Sequence, residues 1–147
     1  MGSLRYDMRI ELAQGAQNNG LADMVASLIL QNLNDKPQKR ADFAKLRGRV
    51  AIVAEDARVS MTLAFTGNML TVHDGIVGVP DVTVRATSDD IIQMSLVELT
   101  PRWALPDRRG AVMKQVQQRT DSGQIRVYGA LLHPALMLRL TRLLSVN

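Results

Sequence analysis

The chain has 147 residues, 46% of them hydrophobic but only 3% aromatic, and 18 basic against 14 acidic residues give a formal charge of +4. That length predicts one compact domain able to bury a core without staples. The absence of Cys excludes disulfides, thiol catalysis and Cys-based metal sites.

Residues 1 to 20 read as an N-terminal arm. Arg5 to Leu12 alternates loosely, compatible with a short strand or a helix, and Gly15, Asn18, Asn19 and Gly20 then form a breaker cluster. The start holds no uninterrupted apolar core of the kind a signal peptide needs. No stretch reaches the roughly 18 to 20 apolar residues that span a bilayer. A soluble, cytoplasmic protein is therefore expected.

Residues 21 to 147 read as a single domain. Leu21, Met24, Val25, Leu28 and Ile29 recur at helical spacing, which predicts a helix over 21–33 stopped by Pro37. Residues 38 to 46 suit a second short helix. Lys36, Lys39, Arg40, Lys45, Arg47 and Arg49 form the densest basic cluster, interleaved with Asp42 and with only Phe43 nearby for stacking. Nucleic-acid binding wants a basic face with a stacking or groove-reading element, so no nucleic-acid partner is expected. The positive excess suits transient contact with an anionic membrane surface.

From Gly48 the pattern turns to β. Val50, Ile52 and Ala54 sit in a β-branched run, and Val59, Met61, Leu63 and Phe65 then alternate with Ser60, Thr62, Ala64 and Thr66. Gly67-Asn68 is a tight turn signal and Leu70 and Val72 continue beyond it, so 58–73 reads as a hairpin. Pro80-Asp81 opens a fourth strand through Val82, Val84 and Ala86. Thr87-Ser88-Asp89-Asp90 is a helix N-cap signal, and an apolar helix follows until Pro101. Residues 111 to 120 suit a helix, Ile125 to Ala130 a fifth strand, and Pro134 opens a Leu-rich terminal helix. Strands in a meander flanked by helices predict an α+β fold: a five-stranded, mostly antiparallel sheet covered on one face by helices.

Catalytic chemistry finds little support. His73 precedes a turn and His133 precedes Pro134; they share no metal-motif spacing and no Cys joins them. No nucleophile elbow, dinucleotide fingerprint or P-loop occurs. Asp89 and Asp90 are explained by the helix start they occupy. No catalytic residue, metal or cofactor is expected.

Four stretches, in this order, resemble the sterol carrier protein 2 family: VSMTLAFTGNMLTVHDG, PDVTVRATSDDIIQM, GQIRVYG and PALMLRLTRLL. The resemblance spans residues 48 to 147, and the first 47 residues share only a helical character. It implies an apolar tunnel between sheet and helices, and binding or transfer of a sterol, fatty acyl chain or quinone-like lipid without a prosthetic group. The chain departs from the family in SLVELTPRW, which lacks a frequent glycine, and in a longer stretch from Pro101 to Ser122, which adds a helix near the tunnel mouth.

On that reading the candidate lining residues are Met94, Leu99, Trp103, Met113, Val116, Leu136, Met137 and Leu140. Aliphatic and thioether side chains can re-pack around a flexible apolar ligand. Two other readings stay open: an accessory interaction module with a closed core, and a small lipid-processing enzyme. The sequence leaves the oligomeric state open.

Overall fold

The computed structural model describes residues 9–100 and 105–147. In chain order the elements are β1 (Arg9–Leu12), α1 (Gly20–Asp35), α2 (Lys39–Lys45), β2 (Arg47–Ala54), β3 (Val59–Thr66), β4 (Met69–Asp74), β5 (Val82–Ala86), α3 (Ser88–Met94), α4 (Ala111–Asp121), β6 (Arg126–Tyr128) and α5 (Pro134–Leu144). The fold is α+β, with one sheet in the order β1-β4-β3-β2-β5-β6.

The sheet differs from the expected one. Among the described residues it has six strands rather than five, and it is mixed rather than mostly antiparallel. The pairs β2–β3, β3–β4 and β5–β6 are antiparallel, whereas β1–β4 and β2–β5 are parallel. The cause of the second parallel pair is the 75–81 connection. It returns from the end of β4 to the end of the sheet where β2 starts, so β5 enters beside β2 in the same direction. Thr62, fully buried, holds this crossing: its Oγ1 donates to the Gly75 carbonyl at 2.8 Å and accepts the Val77 N–H at 3.0 Å. The Asp81 N–H then donates to the Arg49 carbonyl at 2.8 Å. The sixth strand, β1, lies in the stretch that alternates loosely and adds to the β4 edge.

Period two sets which face is dry. Val50, Ile52 and Ala54 of β2, Met61, Leu63 and Phe65 of β3, and Val82, Val84 and Ala86 of β5 join one core with Val25, Ile29 and Leu33 of α1 and Leu136, Leu140 and Leu143 of α5. Helices therefore cover that face, and the 75–81 connection crosses the other. The β3–β4 hairpin closes on Gly67 (φ 75°) and Asn68 (φ 55°), two left-handed residues in succession, the pair a two-residue turn between twisted strands requires.

Local side-chain caps fix the starts of α1 and α3. The Asn19 side chain accepts the Ala22 N–H at 3.1 Å, while its Nδ2 donates to the Ser60 carbonyl and to the Asp74 carboxylate. Thr87 accepts the Asp90 N–H at 3.2 Å, as the N-cap signal predicts. The helix it opens is shorter than expected. It ends at Met94 rather than running on towards Pro101, because the Ser95 N–H and hydroxyl both turn back to the Ile92 carbonyl. Val97 then drops into the core.

Candidate functional site

An apolar pocket of about 190 Å³ lies between the sheet and three helices. Its floor is Ile52, Val84 and Val127, with Ile125 just before β6. Ile91 and Met94 of α3, followed by Val97 and Pro106, form one wall. Met113, Val116 and Thr120 come from α4, and Met137, Leu140, Thr141 and Leu144 from α5. The two threonines add little polarity. Thr120 Oγ1 donates to the Val116 carbonyl and Thr141 Oγ1 to the Met137 carbonyl, each at 2.8 Å, so both hydroxyl protons are spent within their own helices. Among the described residues no titratable side chain lines the pocket.

Five of the eight expected lining residues meet there: Met94, Met113, Val116, Met137 and Leu140. Leu136 does not. It is buried in the core with its Cδ2 over Gly48, one position round the helix from Met137. Leu99 lies apart as well, in a small hollow with Lys39, Asp42 and Arg142, and it bridges to Pro106. Trp103 falls outside the described residues. Sequence reasoning missed the strand residues Ile52, Val84 and Val127, which by period are indistinguishable from solid core. It also missed Leu144, which spacing could have found, four residues after Leu140 and seven after Met137.

The pocket's outer wall, α4, is held at both ends by polar contacts, with Val116 packed against the core between them. None of its residues is fully buried. At its N-terminus the Glu98 carboxylate accepts the N–H groups of Val112 (3.3 Å) and Met113 (3.2 Å), which also sets a negative charge against the helix dipole. Hydrogen bonds from the Glu98 amide itself and then from these helix amides hold its carboxyl below the ordinary range, against the opposing effect of burial. At its C-terminal end Arg119 pairs with the buried Asp90 of α3 and lies 3.9 Å from Asp89.

A second apolar pocket, of about 200 Å³, lies beside the first, between α1 and α3, lined by Met24, Val25, Leu28 and Ile92. The two share Ile52, Ile91 and Leu144 as a partition. Away from both, His73 lies in β4 opposite Thr62, and His133 precedes α5 with Nε2 3.9 Å from Asp81. Among the described residues no three His, Asp or Glu converge as a metal site would require, and no helix is long and apolar enough to cross a membrane.

A mixed sheet roofed on one face by helices, with an apolar pocket between the layers, defines the class: an α+β domain with an apolar pocket under its helices. The model of the SCP-2 sterol transfer family matches residues 27–109, more than half of the chain, and the protein belongs to that family. The match runs from within α1 through α3 and stops short of α4, β6 and α5, so the resemblance read on GQIRVYG and on the terminal helix lies beyond it. Among solved structures the chain is similar to UbiJ-SCP2, a ubiquinone synthesis protein (TM-score 0.58, 17% identity, 84% of this chain and 91% of that one). It is also similar to sterol carrier protein 2 (TM-score 0.51, 12% identity, 87% and 93%). At these identities the likeness is one of fold. No curated protein matches the chain.

Proposed function

We propose that the protein is a non-catalytic carrier that holds a sterol, fatty acyl or quinone-like lipid in a tunnel between the sheet and α1, α3, α4 and α5. The observation that carries this reading is the lining itself: aliphatic and thioether side chains, two threonines turned inward on their own helices, and no ionisable group among the described residues. Such a wall offers a ligand apolar burial, roughly 25 cal/mol per Å², and no acid, base or nucleophile. Three methionines, Met94, Met113 and Met137, give it the flexibility to fit chains of different shape.

Alone, about 190 Å³ is small against the roughly 300–1,000 Å³ of ordinary small-molecule sites. Joined with its neighbour across Ile91 and Leu144, the space enters that range. Rotation of those two side chains is the step that turns two pockets into one tunnel. Family membership supports the same reading, through the sterol transfer that the family is named for.

The test is displacement of fluorescent fatty acid, sterol and quinone probes, with native mass spectrometry of protein purified from its own host. Saturable binding of at least one class is expected, weakened about tenfold or more in Val116→Phe, where the new ring occupies the ligand's space. A wild-type protein that binds none of the three classes saturably, and that carries no co-purifying lipid, would overturn the reading in favour of a closed-core accessory module.

A further inference from the structure

The loop between β6 and α5 holds two neighbouring aliphatic side chains almost wholly in solvent: Leu131 is 98% exposed and Leu132 83%. Val79, 84% exposed, stands on the 75–81 connection. Both loops meet at one end of the sheet. Gly129 lies against the Asp81 carbonyl with no room for a Cβ, and the half-exposed Tyr128 pairs with Thr83 alongside. Apolar tips that stand out on loops suit insertion into a soft medium better than packing against a rigid partner.

Two further features favour a lipid surface. The Leu-Leu tip has part of its backbone already closed, since the N–H groups of Leu132 (3.2 Å) and His133 (3.0 Å) both donate to the Gly129 carbonyl. Those donors enter an apolar interface without being stranded there. Behind the tips stand cations. The Arg49 guanidinium packs on Gly78, next to Val79, and Arg47 projects from the same face of β2, both exposed. The carboxylate among them, Asp81, accepts the Arg49 backbone N–H at 2.9 Å and lies 3.9 Å from His133.

We propose that this end of the sheet docks on an anionic lipid bilayer, with Leu131, Leu132 and Val79 entering the interface and Arg47 and Arg49 meeting lipid phosphates. Apolar insertion and surface charge then act together, the two contributions that reversible membrane association needs. Docking sets the start of α5, whose Met137 and Leu140 line the pocket, against the membrane. The inference does not require the carrier reading, because vesicle binding is read with no pocket ligand present.

The experiment is flotation of the full chain with vesicles of phosphatidylcholine and phosphatidylglycerol in equal parts, and with phosphatidylcholine alone. Wild type is expected to float with the anionic vesicles, less so as salt is raised, and weakly with the neutral ones. The double variant Leu131→Ser/Leu132→Ser should bind about tenfold or more weakly at an unchanged melting temperature, because both side chains are already in water. Arg47→Gln/Arg49→Gln should lose the preference for the anionic vesicles, and Val116→Phe should float like wild type. The proposal fails if the Leu131→Ser/Leu132→Ser variant floats undiminished. It fails too if wild type ignores both vesicles and instead self-associates through those leucines.

Discussion

Asn32 shows how one side chain can tie distant parts of the chain. Within a helical run an Asn reads as a weak point, and here the helix runs past it to Asp35. Its side chain is buried, and Nδ2 donates to the carbonyls of Leu143 (2.9 Å), Leu144 (3.2 Å) and Ser145 (3.2 Å). These are carbonyls at the end of α5 that no helical amide can reach. Asn32→Ala should therefore lower stability by about 1–3 kcal/mol, the cost of leaving buried acceptors unmet, seen as a lower urea midpoint at constant slope. Asn32→Asp should be worse than Ala, since a carboxylate would face the negative end of α5. The Thr87 cap was legible in the sequence because its partner is three residues away. The Asn32 cap was not, because its partners lie more than a hundred residues along the chain.

At the scale of elements, α4 differs from the other described α-helices in having no fully buried residue. Its helical pattern over 111–120 was readable; how it is held was not, since Glu98 and Asp90 show their purpose only once they face it. Asp90→Asn keeps the shape and removes the charge that Arg119 meets. It should raise amide hydrogen exchange across 111–121 while leaving β2 and β3 protected, the behaviour of a locally unstable unit. Acid should act on the other end. The folded-state pKa of Glu98 lies below the ordinary 4.5, so its contribution is complete above that value and is lost as pH falls through the lowered one. Exchange in the first turn of α4 should accordingly rise below pH 4.5, and Glu98→Gln should show the faster exchange already at neutral pH. A result in which α4 stays as protected as β3 in both variants would show that apolar contacts hold it after all.

For the whole molecule, a cavity and a stable core are in tension. Space that holds a ligand forfeits dispersion contacts when empty, so filling it should stabilise the fold. A lipid that binds only the folded state should raise stability by roughly 2.7 kcal/mol at a hundred times its dissociation constant. The expected readout is a melting temperature that climbs with added ligand for wild type and stays flat for Val116→Phe. A flat response in wild type, despite saturable probe binding, would mean that the probe does not distinguish the folded from the unfolded chain, as a ligand of a folded pocket must.

Alternation and caps were enough for the sequence alone to determine most of the elements: the β3–β4 hairpin, the strand running into capped α3, the helix over 111–120 and the Leu-rich α5. Those signals are local, carried by side-chain periods of two and 3.6 and by residues that meet their partners within a turn. The parallel pairs, the sixth strand and the division of apolar residues between pocket and solid core were decided only in the tertiary structure. Met137 and Leu136 are both apolar neighbours, yet one lines the pocket and the other packs over Gly48. Their difference is a rotation about the axis of α5, and only the elements packed around that helix give it a meaning.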